Sequence, residues 1–316
     1  MTDRMKAVRM HEFGSPDVLR YEDAPRPDPV DDDVLVRVHA AGVNPVDWRI
    51  RQGMQLVSML PENPFPIILG MDVSGVVEEV GASVTEFESG DAVFGVNGFP
   101  ELGSYAEYST TPAEQLAPKP KSLDHEGAAG VPVVTQTAWQ ALFEYADCTA
   151  DQRVLIHGAA GGVGHMAVQL AKWKGADVIV TASGYSEDYL RELGVDEFVN
   201  YREERFESVI DEVDIVVDTV GGETPARSVD VLRKKGVLVS VVGQPSGALT
   251  TNHDIDVQVV SGRSNSPSLL TTISELIDAG EVRPTISAEF PLENTAQAHE
   301  VGETEHVQGK LVLSVA

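Results

Sequence analysis

From residue 153 to residue 242 the apolar positions form short aliphatic runs separated by amphipathic stretches. Residues 153–157, 177–182, 214–218 and 236–242 are rich in Val, Ile and Leu, with few polar interruptions, and 197–200 is a shorter strand, third of the five in order. That pattern belongs to strands buried on both faces. Between and around them, residues 163–173, 187–193, 205–211 and 224–233 carry helical spacing. In the first of these Val163, Ala167, Leu170 and Ala171 share one face. Strand and helix in alternation predict a doubly wound parallel sheet. The first hundred residues are patterned differently. Residues 5–10 and 34–42 alternate apolar with polar, and 67–69, 72–80, 91–95 and 105–110 are further short strands. Gly70, Gly75, Gly81 and Gly90 stand at turns or bulges, so a compact, barrel-like β domain is expected. Prolines 25, 27 and 29, and then 61, 64 and 66, mark loops, and Asn44-Pro45 opens a short helix. Helices are expected over 135–145 and 269–279. The tail, 285–290 and 310–315, returns to strand texture and rejoins the first domain. The predicted organisation is a β domain of residues 1–120 completed by 282–316, and a parallel-sheet domain of residues 121–281.

The chemistry is concentrated where the first strand of the parallel sheet meets its helix. Gly158, Gly161, Gly162 and Gly164 crowd into seven positions, followed by the helix that starts at Val163. Strand, glycine turn and helix open a dinucleotide-binding βαβ unit: tight turning, close approach of backbone to a pyrophosphate, and close packing of helix on strand each favour glycine. On the spacing G-x-G-x-x-G the first position is Ala159, followed by Gly161 and Gly164. In sheets of this kind the C-terminal ends of the fourth and fifth strands line the crevice. Here these ends are Val220 and Gly221, and Val242 and Gly243.

Charge narrows the partners. Asp and Glu number 50 against 23 Lys and Arg, a net charge of −27, spread along the chain rather than gathered in a tail. Such a surface repels nucleic acid and anionic membranes. It suits molar salt, where charge is screened within a few Å, so a halophilic source is expected. No apolar run approaches the ~20 residues of a membrane span, and no apolar segment follows the first charges as in a signal peptide, so a soluble cytoplasmic protein is expected. The single cysteine, Cys148, excludes an intrachain disulfide. The eight histidines show no metal-ligand spacing and read as surface or packing residues.

Several segments together resemble one family. His157–Gly164, with its glycines, Gly42-Val-Asn-Pro-Val-Asp47, Leu69–Gly81, Gly90-Asp-Ala-Val93 and Gly309-Lys-Leu-Val-Leu313 match, in order and spacing, the quinone oxidoreductase (zeta-crystallin-like) branch of the medium-chain dehydrogenases/reductases. The resemblance covers nearly the whole chain. It implies a GroES-like β-barrel domain, a Rossmann domain, and an active site in the cleft between them. It further implies NAD(P)H-dependent reduction of quinones or α,β-unsaturated carbonyls, by a homodimer or larger oligomer. The aliphatic strand over 257–260 is a candidate for dimer pairing.

The zinc alcohol dehydrogenases of that superfamily use Cys, a His-Glu pair and a second Cys. The positions that resemble these are Asn44, Met71-Asp72 and Val133. Only Asp72 is even a weak ligand, and a four-cysteine structural zinc lobe has no counterpart in a chain with one cysteine, so a zinc-independent protein is expected. For the cofactor, an NAD site places Asp or Glu about 20 residues past the glycines. Ser183 stands there instead and leaves room for a 2′-phosphate, which favours NADPH over NADH. Glu187 and Asp188 follow close behind and repel a phosphate unless they point outward from the first helical turn. By resemblance Tyr201 lies near the adenosine, Arg202 supplies positive charge, and Thr137 lies near the nicotinamide. On the substrate side, by the same resemblance, Asn44 takes the place of a zinc ligand and hydrogen-bonds the acceptor oxygen. Where the family often carries tyrosines this chain has Arg49 and Gln55, which disfavours an acyl-thioester reductase; Arg49 is left to supply a stabilising field to the oxyanion. Two other readings are open: a nucleotide-binding structural or redox-sensing protein with little turnover, and an alcohol dehydrogenase, which the missing zinc ligands oppose.

Overall fold

The computed structural model describes residues 4–54, 57–98, 102–245, 254–260 and 267–315. Its described residues fall into two compact units. One lies within Met1–Val133, Asn265–Asp278 and Pro284–Ala316, the other within Val134–Ser264 and Ala279–Arg283.

The first unit opens with β1 (Arg4–Met10), β2 (Leu19–Pro25) and the long β3 (Asp33–Val43), then α1 (Pro45–Arg51). The strands β4 (Ile67–Ile68), β5 (Asp72–Val80), β6 (Ala92–Val96), β7 (Tyr108–Pro112) and β8 (Leu116–Pro118) follow, with α2 (His125–Ala129) and the start of α3 (Pro132–Trp139). The second unit contains β9 (Arg153–His157), α4 (Gly162–Lys174), β10 (Asp177–Ala182), α5 (Glu187–Glu192), β11 (Glu197–Asn200), β12 (Val213–Asp218), α6 (Thr224–Ser228), β13 (Leu232–Ser240) and β14 (Asp256–Val259). Helix α7 (Pro267–Asp278), β15 (Ile286–Pro291), α8 (Thr295–Thr304) and β16 (Lys310–Ser314) belong to the first unit.

Parallel pairing gives the second unit a six-stranded sheet in the order β11-β10-β9-β12-β13-β14. This is a doubly wound sheet whose strand order reverses direction between β9 and β12. All six residues of β12 are buried, which is why its sequence is nearly uninterrupted apolar. Asp214 and Asp218, the exceptions, are held by hydrogen bonds, Asp214 Oδ2 accepting from Arg153 N at 2.7 Å. The first unit is built on a seven-stranded sheet, β15-β16-β3-β5-β6-β8 with β7 also on β3, and a smaller one, β2-β1-β4. β3 pairs three strands, and eight of its eleven residues are apolar or small, all but Asp33, Arg37 and His39, as a central strand requires. The terminal strand β16 pairs β3 with Val312 opposite Gly42, so the end of the chain completes the first unit.

Some expected elements differ. Residues 205–211 form only a short turn at Phe206–Ser208. Phe206 and Ile210 are both buried and one helical bond links them, but Val213 must enter β12 three residues later. The helix expected over 224–233 ends at Ser228, and β13 begins at Leu232, because Val229, Val231 and Leu232 turn to pack under the sheet. The helix over 135–145 is α3 followed by a wider π-helical turn, Gln140–Tyr145. Behind that turn lies Cys148, 2% exposed, its thiol pushed up to about 11 by burial. Among the described residues no helix is long and apolar enough to cross a membrane.

Candidate functional site

The glycine loop forms a cradle in the second unit. β9 ends at His157, whose ring is buried and tied on both sides, Nδ1 to Thr181 Oγ1 at 2.8 Å and Nε2 to Ser228 Oγ at 2.9 Å. Burial pushes its imidazole down to about 3, so it is a neutral packing group. Gly158 then takes φ +68°, and a Cβ there would lie 2.3 Å from Thr219 Oγ1. At Gly164 a Cβ would lie 2.3 Å from Gly158 O and 2.6 Å from Ala159 Cα, so the helix sits directly on the loop. No side chain caps α4 at Gly161. The first N–H groups of a thirteen-residue helix, those of Gly162, Val163 and Gly164, are therefore left for an anion, with the helix dipole behind them. These residues fit a dinucleotide pyrophosphate.

The strand ends gather beside this loop. Thr219 Oγ1 donates to His157 O at 2.8 Å. Asp218, fully buried, accepts from Val220 N and Gly221 N, both at 3.0 Å, and so shapes the turn after β12. Burial raises its carboxyl above the usual range, against the pull of these backbone donors. Gly221 faces Val242, since a Cβ would meet Val242 Cγ2 at 2.9 Å. Gly243 follows, exposed, at the end of β13. The structure thus brings together Gly158, Val220, Gly221 and Val242. Ser183 is buried at the end of β10, and the next strand places Tyr201 and Arg202 at the end of β11, Tyr201 N donating to Ala182 O at 3.2 Å. Arg202 carries its guanidinium 5.9 Å from the Tyr201 ring centre. Glu187 is held by Arg191 one helical turn on, at 2.9 Å, and Asp188 is exposed. Both carboxylates are first-turn helix charges of α5. Thr137 is half-buried on α3.

In the first unit the residues after β3 enclose a buried polar cluster. Pro45 at the first helical position and Asn44 before it start α1. Asp47, three residues on, reaches back so that its Oδ2 accepts from Asn44 N at 2.9 Å. The same oxygen accepts from Tyr105 Oη–H at 2.9 Å, while Oδ1 is buried without a partner. Burial is the main cause that pushes the Asp47 carboxyl up to about 7. His299 continues the chain of bonds. Arg51 Nη1 donates to His299 Nδ1 at 3.1 Å, so Nε2 carries the hydrogen and faces Tyr105 Oη at 3.3 Å. Arg51, wholly buried, ends the chain in an ion pair with Glu303 at 2.6 Å.

Asn44 itself is 1% exposed, with Nδ2 donating to Asp72 Oδ2 at 2.8 Å and Oδ1 accepting from Lys310 Nζ at 2.6 Å. Asp72 Oδ1 accepts from Val133 N at 2.7 Å. The three positions that resemble zinc-ligand positions therefore do meet in space. What they present is one carboxylate, an amide and a backbone N–H, with an ammonium against them. Among the described residues no thiolate or imidazole faces this point, and the donor set does not fit zinc. Among the described residues no group of three or more His, Cys, Asp or Glu side chains is arranged to hold a metal. Arg49 is half-buried on α1, and Gln55 lies outside the described residues. Sequence reasoning missed Lys310, Arg51, Tyr105 and His299 as members of this cluster. The one available signal was the lysine inside the Gly309–Leu313 segment, at the mouth of an otherwise apolar strand.

Two known families match the chain. Residues 30–121 match the alcohol dehydrogenase GroES-like domain family, and residues 193–313 match a family described as zinc-binding dehydrogenase. The chain is 33% identical to the chloroplastic NADPH-dependent alkenal/one oxidoreductase of Arabidopsis thaliana, over 98% of this chain and 79% of that one. It is 32% identical to the quinone oxidoreductase of Sus scrofa, over 98% of this chain and 97% of that one. Among solved structures, the quinone oxidoreductase from Coxiella burnetii superposes with a TM-score of 0.93 at 37% identity, covering 99% of this chain and all of the other.

Two outcomes follow from this geometry. Gly164→Val forces the loop off the helix, and dinucleotide affinity, measured by fluorescence titration, should fall by about tenfold or more; an unchanged affinity would refute the cradle. Asp47 has a folded value raised from 3.8 to about 7. Its stabilising contribution is full below the unfolded value and is lost as pH rises through about 7. The melting temperature should therefore decline over that window in the wild type and less steeply in Asp47→Asn; parallel curves would contradict the assignment.

Proposed function

The chain belongs to the quinone oxidoreductase branch of the medium-chain dehydrogenase/reductase superfamily, and on that footing we propose that it reduces quinones or α,β-unsaturated carbonyls with NADPH. The observation that carries this reading is the uncapped start of α4 at Gly161–Gly164, answered at the end of β10 by Ser183 rather than by an acid. When bound, NADPH supplies the hydride. The chain supplies position and charge. The N–H groups of Gly162, Val163 and Gly164 hold the pyrophosphate. The Ser183 hydroxyl and the Arg202 guanidinium take the 2′-phosphate, and Tyr201 lies along the adenosine. Glu187, already paired with Arg191, does not oppose that phosphate. Val220, Gly221, Val242 and Gly243 let backbone approach the nicotinamide ribose, and Thr137 contacts the nicotinamide.

On the acceptor, hydride addition to a quinone or enone places negative charge on the carbonyl oxygen. A fixed donor in a water-poor site stabilises that charge with no reorganisation. Asn44 and Arg49 provide it, and water supplies the proton. A donor set with no thiolate or imidazole suits this reaction better than alcohol oxidation, which in zinc enzymes relies on a Lewis acid. The −27 charge adds a condition: the protein works in concentrated salt, where its carboxylates are screened.

The test is an acceptor panel of quinones and enones with NADPH and with NADH, in molar and in low salt, read as loss of reduced-nicotinamide absorbance. Turnover with NADPH that fades on dialysis is expected. NADPH binding without turnover on any acceptor would refute the enzyme reading, and full activity in low salt would refute the salt requirement. In the same assay Arg202→Glu should raise KM for NADPH about tenfold and leave that for NADH nearly unchanged; equal effects on both would remove Arg202 from the phosphate site.

A further inference from the structure

One buried ion has no part in the reaction as described above. Lys310 opens β16, and its side chain is 3% exposed. Three oxygens surround its ammonium: Val43 O at 2.7 Å, Asn44 Oδ1 at 2.6 Å and Asp72 Oδ2 at 3.4 Å. An ammonium has three donors and no acceptor, so these three contacts saturate it. They also fix the Asn44 carboxamide. Its oxygen must face Lys310 and its nitrogen must face Asp72, since a flipped amide would set NH2 against ammonium and oxygen against carboxylate. One hydrogen of Nδ2 goes to Asp72, and the amide has a second to offer.

The charges in the cluster can be assigned. Arg51 is answered by Glu303 at 2.6 Å. His299 is held neutral by burial, and Tyr105 donates to Asp47. Asp47 shares one oxygen with two neutral donors, and the charges of Lys310 and Asp72 both act on it. That leaves the Lys310 ammonium to answer Asp72, which has no exposed surface.

We propose that Lys310 is a positioning residue for the acceptor side of the site, an internal cation set against Asn44 and Asp72, two of the positions that resemble zinc-ligand positions. It acts through Asn44. Its ammonium draws electron density toward Oδ1, orients the amide plane, and makes the remaining N–H of Nδ2 a stronger donor to the developing oxyanion. This rests on the reading that Asn44 faces the acceptor oxygen. The positive charge is covalently part of β16, so the site is complete without a bound ion.

The test separates this role from simple packing. Lys310→Met keeps the length and apolar stem and removes the charge, leaving Asp72 buried without a counter-ion. An uncompensated buried carboxyl has a raised folded value, and its stabilising contribution is lost as pH rises. The gap in melting temperature between wild type and Lys310→Met should therefore widen between about pH 5 and pH 8. Adding Asp72→Asn should remove that widening, and Lys310→Arg should show little of it. With a quinone that the wild type reduces, Lys310→Met should lower kcat about tenfold while NADPH affinity holds within about twofold, and Lys310→Arg should recover much of the loss. A pH-independent gap, or a double variant no better than Lys310→Met, overturns the charge role. A kcat within about twofold of wild type overturns the positioning role. If Lys310→Met does not fold, the double variant is read alone: a folded protein with no pH-dependent gap from wild type supports the pairing, and an unfolded one overturns it. The melting measurements need no turnover, so absence of activity on every acceptor refutes the proposed reaction without touching the Lys310 pairing.

Discussion

A carboxylate with no access to water is costly unless every lone pair it offers is met, and Asp72 is such a carboxylate. Its three donors and the carboxylate itself come from four distant parts of the chain. Asn44 stands just after β3, Asp72 opens β5, Val133 lies in the first turn of α3, and Lys310 opens β16. The strand registers follow from the same requirement. Gly42 sits opposite Asp72 across β3 and β5, and opposite Val312 across β3 and β16. A slip of one residue in either pairing would turn Asp72 or Lys310 to the other face of the sheet. The cluster therefore specifies register as well as charge, and removing one partner costs more than the pair is worth in isolation.

The second unit treats its buried carboxylate differently. Asp218 is also without exposed surface, but its donors are the N–H groups of Val220 and Gly221, two and three residues away. A local turn suffices because the purpose is local: to fold the loop after β12 against Gly158 and Val242. The contrast follows from what each carboxylate holds. Asp218 shapes one loop of a cradle made of backbone, whereas Asp72 fixes side chains that belong to separate strands.

Legibility in the sequence tracked how local each feature is. β10 and β12 were readable because strands buried on both faces must be apolar throughout. The loop from Gly158 to Gly164 and the helix behind it were readable because contiguous residues carry the whole device. β2, with Arg20, Glu22 and Asp23 exposed or half-exposed on an edge pairing only β1, shows no alternation and gave no signal. The turn at Phe206–Ser208 misled because Phe206 and Ile210 mimic helical spacing over too short a span. Asn44 was found by resemblance, but the partner that orients it lies 266 residues away in sequence. No periodicity links such positions, and a lysine at the start of an apolar strand reads as a surface cation until the fold closes over it.

The single cysteine bears on how such a protein survives its own substrates. Quinones and enones are soft electrophiles that add to thiolates. Cys148 is the only thiol in the sequence, lies 2% exposed beneath the π-helical turn, and has its ionisation pushed up to about 11. Near neutral pH it is protonated in all but a minute fraction of molecules, and the thiol form is not the nucleophile. The one thiol of the chain, buried and held protonated, thus offers such electrophiles no thiolate to add to.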